Sequence, residues 1–225
     1  MATNRKLVFQ NDSLYHVFNR GIERRPVFQN TREFHRALEL INFYNHKDIP
    51  IRYSQFLQLS REIRENLLKI LSESERLVDI LAFCLMPNHF HFLFRQRIDN
   101  GISTFISNFT NSYTKYFNTK YQRVGPLFEG VFKAVYIEND DQLIHLSRYI
   151  HLNPVVSSIV SETEILNYKW SSYPAYLSLS EKNEIVLDKK TILSYFKSPK
   201  KHQEFVMDQV DYGKKLEKIK HLAMD

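Results

Sequence analysis

The sequence predicts an α+β sandwich, in which helices cover an antiparallel sheet. Two observations lead to this class. Short aromatic and β-branched runs alternate with longer segments whose apolar residues recur at helical spacing. Two of the short runs are separated only by the turn residues Met86-Pro87-Asn88, which makes them a hairpin of antiparallel strands.

The predicted elements occur in the order strand, helix, inserted helix, two strands, helix, strand, helix. The predicted strands are Leu14–Asn19, Leu77–Leu85, His89–Gln96 and Val131–Ile137. The predicted helices are Thr31 to about Tyr44, the insertion at about 53–74, Ile102 to about Tyr121, and Asp140 to about Leu152. Thr31 and either Asn139 or Asp140 are expected N-caps, and Pro154, which lacks an N–H, is expected to stop the last helix. This order is typical of a ferredoxin-like sandwich with a four- to five-stranded sheet.

A single domain at residues 1–177 is predicted, followed by a peripheral helical tail at residues 178–225. A chain of 225 residues is long enough for one sizeable core. From about Ser178 onward the sequence is rich in lysine and loses its apolar patterning, which indicates a segment outside that core.

Charge and cysteine content exclude some classes of protein. The formal net charge of +6 suits a polyanionic partner, and aromatic residues mixed with Lys and Arg suit stacking on unpaired bases. Cys84, the only cysteine, excludes an internal disulfide framework and a cysteine-rich zinc site. Since the sequence shows neither a signal peptide nor an apolar run long enough to span a membrane, we expect a cytoplasmic protein with no membrane partner.

A histidine pair stands at the start of the third predicted strand. Side chains alternate along a strand, so His89 and His91 share one face while Phe90 points to the other. Two imidazoles about 6–7 Å apart on one face can share a divalent metal ion. The alternative is a pair of partly exposed or hydrogen-bonded histidines with no ligand.

The last predicted helix carries a tyrosine and an asparagine four residues apart, Tyr149 and Asn153. This spacing places both on one helix face, where the amide oxygen can complete a site for Mg²⁺ or Mn²⁺. A phenol is a poor nucleophile unless the phosphorus it attacks is polarised by a cation. The alternative is that Tyr149 packs in an amphipathic core and Asn153 caps the helix before Pro154.

Five motifs occur in an order that resembles a known family. They are Asn19-Arg20-Gly21, Met86-Pro87-Asn88-His89-Phe90-His91, Gly125-Pro126-Leu127-Phe128-Glu129-Gly130, Arg148-Tyr149-Ile150-His151-Leu152-Asn153-Pro154 and Trp170-Ser171-Ser172-Tyr173. Together they resemble the single-tyrosine HUH transposases, most closely the REP-associated tyrosine transposases. The resemblance extends over residues 13 to 176.

The resemblance implies a metal-dependent transposase and endonuclease. His89, His91 and Asn153 would bind Mg²⁺ or Mn²⁺, although members of the family often have Gln at the last position. Tyr149 would attack the scissile phosphate of hairpin-bearing single-stranded DNA, giving a 5′-phosphotyrosine and a free 3′-hydroxyl, in DNA transposition or the processing of REP-like elements. His151 is an alternative ligand only if the helix is irregular, since it lies roughly 200° around the helix from Tyr149.

Several cations near these motifs are candidate DNA contacts. They are Arg20, Arg24, Arg25, Lys115, Lys133 and Arg148. The arginines after the first strand, Arg20, Arg24 and Arg25, are as consistent with a solvated loop as with a phosphate contact. The chain departs from the family at Val131, where members often have Arg, and Lys133 could compensate for the missing phosphate contact.

Two other functions stay open, and so does the oligomeric state. The first is a domesticated protein that binds hairpins and regulates without transposition. The second is a small zinc hydrolase, which the absence of acidic residues beside the histidine pair disfavours. The resemblance is compatible with a monomer or a homodimer, and it implies a bacterial cytoplasmic protein that is nucleoid-associated when bound to DNA.

Overall fold

The computed structural model describes residues 7–177 and 185–210. Its sheet has four strands, which are β1 (Leu14–Arg20), β2 (Val78–Met86), β3 (His89–Gln96) and β4 (Lys133–Tyr136). All neighbours are antiparallel, in the order β2-β3-β1-β4. The predicted α+β class and ferredoxin-like topology are thereby confirmed.

Eight α-helices are present in the described part of the chain. They are α1 (Thr31–Tyr44), α2 (Tyr53–Phe56), α3 (Arg61–Glu73), α4 (Gly101–Lys120), α5 (Asp140–Val156), α6 (Tyr173–Tyr176), α7 (Lys189–Leu193) and α8 (Pro199–Met207). The predicted insertion is therefore two helices, α2 and α3. The N-caps of α1 and α5 are Asn30 and Asn139, whose side chains accept hydrogen bonds from the backbone of Glu33 and Gln142. None of these helices is long and apolar enough to cross a membrane.

The helix α5 continues past Pro154, contrary to the sequence prediction. Proline removes one backbone hydrogen bond from a helix interior, so another interaction must stabilise the last turn. Leu152 and Val155 are both buried in a cluster with Val206 of α8. Tertiary burial of these side chains therefore outweighs the local preference of proline to end a helix.

The two faces of the sheet carry separate apolar cores. Phe90, Phe92 and Phe94 of β3 point to one face, which α1 and α4 cover. Leu93 points to the opposite face, where it packs in a second cluster with Ile150 of α5. Because side chains alternate along a strand, the histidines of β3 lie on the same face as Leu93, towards α5.

Part of the predicted tail contributes buried side chains. In the described residues 185–210, Ile185, Ile192 and Val206 are buried, α7 packs against β2 and α8 packs against α5. Residues 178–184 and 211–225, which include five of the ten lysines of the predicted tail, lie outside the described residues. The boundary at residue 177 stays a prediction.

Candidate active site

The site is built on neighbouring strands β1 and β3. The ring centroids of His89 and His91 lie 5.0 Å apart with the rings nearly perpendicular, so both side chains occupy the face predicted from strand alternation. The carboxamide oxygen of Asn88 lies 2.6 Å from Nδ1 of His89. The side chain of Asn88, in the turn before the strand, thus orients the first histidine.

A third histidine, His16, joins the pair from β1, and the sequence analysis did not identify it. Its Nε2 atom lies 2.9 Å from Nδ1 of His91, and the two rings stack with centroids 5.1 Å apart. His16 stands between Tyr15 and Val17, which are both buried on the other face of the sheet. The only signal in the sequence was a polar residue between two apolar ones in the first predicted strand. This signal does not indicate which strand pairs with the first one.

Burial holds these imidazoles in their neutral form. Burial lowers the pKa of His16 to about 4. Burial also puts the pKa of His91 well below its ordinary value, with further lowering from the neighbouring His89 and His16. A neutral imidazole keeps one lone pair, and it is the form in which histidine binds a metal ion.

Tyr149 meets this cluster from α5. Its ring lies edge-on to the ring of His91, with centroids 5.4 Å apart and planes at 84°, and 6.3 Å from the ring of His16. Its side chain is 44% exposed, which leaves it accessible to a substrate. The tyrosine and the histidine pair that meet belong to the same chain, so no second copy is needed to bring them together.

Asn153 lies one helical turn beyond Tyr149 and is buried. Its Oδ1 atom accepts a hydrogen bond of 3.4 Å from the hydroxyl of Ser157. Over the described residues, no three His, Cys, Asp or Glu side chains cluster in a way that could hold a metal ion. A metal ion here would depend on His89, His91 and the amide oxygen of Asn153.

His151 belongs to a different cluster. Its Nε2 atom lies 2.9 Å from the hydroxyl of Ser172, and its ring packs against Tyr173 and Tyr176 of α6. The residue is fully buried, and burial puts its pKa well below the ordinary value, with a further contribution from His202 of α8. The regular helix therefore turns His151 towards the C-terminal helices and away from the Tyr149 face.

A cavity of about 560 Å³ opens beside the histidine pair. His89 and His91 line it together with three of the predicted DNA-binding residues, Arg20, Arg24 and Lys133. Arg20 pairs with Glu129 at 2.6 Å at the cavity wall. Arg25, the other arginine of this cluster, does not line the cavity and pairs with Glu23 at 3.2 Å. The cavity combines the histidines with positive charge, as a site for a phosphodiester requires.

The other two predicted DNA contacts lie elsewhere. The guanidinium of Arg148 packs 4.2 Å over the ring of Phe205 and donates to the backbone oxygen of that residue, which ties it to α8. Lys115 projects from α4, on the opposite face of the sheet from Tyr149. Contact of either residue with DNA stays a prediction.

The fold and site define a ferredoxin-like domain in which a helix-borne tyrosine faces a histidine pair on the sheet. Residues 49–153, a little under half of the chain, match the family described as "Transposase IS200 like". The matched segment contains His89, His91, Tyr149 and Asn153. The family resemblance stated from the motifs is thereby confirmed, and it supports a transposase-type role in DNA processing. No curated protein matches this sequence.

Among solved structures, the chain is similar to a REP-associated tyrosine transposase bound to a REP hairpin. The two are 14% identical, with a TM-score of 0.53 over 84% of this chain and 93% of that chain, so the likeness concerns the fold. It is also aligned with tRNA(His) guanylyltransferase from Saccharomyces cerevisiae, at 13% identity over 92% of this chain and 82% of that chain. The TM-score of 0.34 for this second alignment is too low to indicate a shared fold.

Proposed function

We propose that the protein is a metal-dependent single-tyrosine transposase that cleaves and rejoins hairpin-bearing single-stranded DNA. The observation that carries this proposal is the edge-on contact of Tyr149 with His91, at 5.4 Å between ring centroids within one chain. A partly exposed phenol beside a histidine pair and a cationic cavity has the parts needed to attack a phosphodiester.

The chemistry of Tyr149 is an in-line displacement at phosphorus. The bond from Oη to phosphorus forms while the bond from phosphorus to the 3′ oxygen breaks. The phenol loses a proton and the departing 3′ oxygen gains one, so the products are a 5′-phosphotyrosine and a free 3′-hydroxyl. No nucleotide cofactor is required, because the phosphotyrosine ester retains the energy of the broken bond for rejoining.

His89, His91 and Asn153 are the residues that would hold Mg²⁺ or Mn²⁺. Their donors fit such an ion, since they offer two imidazoles from one strand and an amide oxygen, and burial keeps His91 neutral. When bound, the cation supplies Lewis-acid polarisation of the phosphoryl group. His16 orients His91 through the 2.9 Å contact between their ring nitrogens.

Three cations at the cavity would hold the DNA strand. Arg24 and Lys133 line the cavity beside the histidines, and Arg20 does so while paired to Glu129. Contacts of this kind with phosphate oxygens position a strand without reading its sequence. The relative of similar fold is bound to a REP hairpin, which supports a hairpin as the recognised element here as well.

Labelled oligonucleotides test the proposal directly. Single-stranded hairpins from the DNA flanking the gene are labelled at the 5′ or 3′ end and incubated with the protein, with Mn²⁺, Mg²⁺ or chelator. We expect a protein adduct on a denaturing gel that carries the 3′ fragment, depends on the cation and is lost in Tyr149→Phe.

The matched control is Tyr195→Phe, because Tyr195 is 43% exposed, nearly as much as Tyr149, and lies between α7 and α8. This variant should form the adduct at the wild-type level. Hairpin binding on a native gel without an adduct in any metal would favour the regulatory hairpin-binding protein. An undiminished adduct in Tyr149→Phe would refute the assignment of the nucleophile.

A further inference from the structure

Arg148, the residue before Tyr149, lies on a different side of α5 from the candidate active site. Successive residues of an α-helix are about 100° apart around its axis, so neighbours in sequence occupy different faces. Arg148 is not among the residues that line the cavity beside His89 and His91. Its side chain instead packs against α8, near the C-terminal end of the described chain.

Three contacts hold the guanidinium of Arg148 on this side. Its central carbon lies 4.2 Å from the ring centroid of Phe205, which is within the range of a cation–π interaction. One terminal nitrogen donates a hydrogen bond of 3.3 Å to the backbone oxygen of Phe205. The other donates to Nδ1 of His145, whose ring lies 5.6 Å from that of Phe205. We call these contacts among His145, Arg148 and Phe205 the α8 clasp.

Contacts on two nearly opposite sides fix the rotation of α5 about its axis. Ile150 packs with Leu93 of the sheet, whereas Leu152 packs with Val206 of α8, on the same side as the α8 clasp. Residues two apart are about 160° apart around a helix, so α5 is held between the sheet and α8. Tyr149 projects between these two sides. Turning the helix would therefore break the contacts on both of them.

The position of the Tyr149 phenol depends on this rotation. The side chain is 44% exposed, and its ring meets the ring of His91 edge-on at 5.4 Å between centroids. The phenol oxygen lies farther from the helix axis than the Cα atom does, so a small rotation of α5 moves the oxygen by a larger distance. A misplacement of about 1 Å can lower the rate of a reaction about 100-fold.

We propose that Arg148 is a positioning residue, which through the α8 clasp fixes the rotation of α5 that directs Tyr149 at the histidine pair. Phe205 is the other half of this device, so α8 contributes to activity although it lies beyond the family match, which ends at residue 153. The effect on DNA cleavage rests on the proposed function, whereas the effect on the contact between Tyr149 and His91 does not. The alternative is that Arg148 binds a DNA phosphate.

The test compares the rate of adduct formation with DNA affinity in the same variants. The rate is measured with a saturating hairpin oligonucleotide and Mn²⁺, and the dissociation constant is measured by fluorescence anisotropy over a range of salt concentrations. Arg148→Gln removes the charge, and Arg148→Lys keeps the charge but loses the planar guanidinium. Phe205→Leu leaves Arg148 in place and removes the ring. Arg24→Gln, at the cavity, shows what the loss of a phosphate contact does.

We expect Arg148→Gln, Arg148→Lys and Phe205→Leu to form the adduct about 10–100-fold more slowly than the wild type, with hairpin affinity and its salt dependence unchanged. The double variant Arg148→Gln/Phe205→Leu should be no slower than the slower single variant, because both changes break one contact.

A phosphate contact of Arg148 would give a different pattern. Arg148→Lys and Phe205→Leu would then form the adduct at the wild-type rate. Arg148→Gln would bind the hairpin more weakly, and its slope of log K against log salt would fall by about one, as in Arg24→Gln. This pattern would refute the positioning role.

A general loss of stability is separated by Ile41→Val. This change removes one methylene from the core on the other face of the sheet, away from α5. The variant should unfold at a lower temperature and still form the adduct at the wild-type rate where it is folded. A rate as low as that of Phe205→Leu would show that the loss reflects stability alone and would refute the positioning role. If Arg148→Gln does not fold, Arg148→Lys and Phe205→Leu carry the test.

Nuclear Overhauser contacts between the rings of Tyr149 and His91 test the α8 clasp in the protein without DNA. The wild type and Ile41→Val should show these contacts, and they should weaken in Arg148→Gln and Phe205→Leu. Weakened contacts in the two clasp variants, with no adduct formed by the wild type, would refute only the proposed chemistry. An adduct formed equally fast by the wild type and both clasp variants would refute only the role of the clasp.

Discussion

The Nε2 atom of His16 lies 2.9 Å from the Nδ1 atom of His91, across the neighbouring strands β1 and β3. Because burial lowers the pKa of both residues, both rings are neutral at neutral pH and one donates its N–H to the other. We expect His91 to be the donor, since this leaves the lone pair of its Nε2 atom for a metal ion. His16 would then act as a positioning residue for His91.

Replacing His16 tests this role. His16→Phe keeps an aromatic ring in the strand but cannot accept a hydrogen bond, whereas His16→Gln keeps an acceptor. The affinity for Mn²⁺, measured by calorimetry, should fall about 10–100-fold in His16→Phe and recover in part in His16→Gln.

The tautomer of His91 provides an independent readout. Nitrogen NMR of labelled protein should show Nδ1 of His91 protonated in the wild type, and a mixture of tautomers in His16→Phe. Equal Mn²⁺ affinity in the wild type and His16→Phe, with His91 protonated at Nε2 in both, would contradict the positioning role.

Asn153 should contribute an oxygen to the metal site. Asn153→Ala is expected to weaken Mn²⁺ binding, because the amide oxygen is lost, whereas Asn153→Asp should retain or strengthen it. Ser157→Ala is the matched control, since it removes the 3.4 Å hydrogen bond to Asn153 without removing the ligand atom. Calorimetric titration of the three variants measures the difference. Unchanged affinity in Asn153→Ala would exclude Asn153 as a ligand.

The stability of the fold should decrease below pH 6.5, and His202 should account for part of the decrease. Burial lowers the pKa of His202 from 6.5 to about 4, so its neutral form is favoured in the folded state. Between pH 6.5 and about pH 4 the unfolded chain binds more protons at this histidine than the folded chain does. The free energy of unfolding should therefore fall, as the pH decreases, by up to about 1.4 kcal/mol per pH unit for one such group.

The variant His202→Phe should be less sensitive to acid. His202 is fully buried, and both of its ring nitrogens lack partners within the described residues, so an apolar ring costs no hydrogen bond there. Urea unfolding of the wild type and variant at pH 7 and pH 5 measures the change. A variant that loses as much stability as the wild type between these pH values would show that His202 does not titrate in this range.

Removing the C-terminal helices should destabilise the domain. A chain that ends after Leu177 loses Ile192 and Val206, both fully buried, and leaves Arg95 without its 3.0 Å ion pair to Asp188. Burial of the two apolar side chains is worth at least about 3 kcal/mol together. A chain that ends after Val210 is the control, because it retains both helices. Equal unfolding midpoints for the two chains would show that the tail is dispensable for the fold.

The sequence predicted the fold because its signals are local. Helical spacing of apolar residues and the turn at Met86-Pro87-Asn88 define the elements, and their order leaves few topologies. The predicted end of α5, at about Leu152, was wrong because the burial of Leu152 and Val155 depends on α8, which is distant in sequence. Local propensity carries no information about such contacts.

The sequence predicted those features of the site that depend on a single strand or helix, and missed those that depend on contacts between elements. The shared face of His89 and His91 follows from strand alternation, and the turning away of His151 follows from the helical angle. The place of His16 depends on the register in which it pairs with Leu93, between strands far apart in sequence. The contact of Arg148 with Phe205 also depends on how the tail packs.

The central claim is that Tyr149 forms a covalent bond to DNA, and mass spectrometry tests it most directly. The protein is incubated with a hairpin oligonucleotide and Mn²⁺, the DNA is trimmed with nuclease, and the tryptic peptides are sequenced. The account predicts a nucleotide joined through its 5′ phosphate to Tyr149, and no such peptide when the cation is chelated. A nucleotide on another residue, or cleaved DNA without any modified peptide, would contradict it.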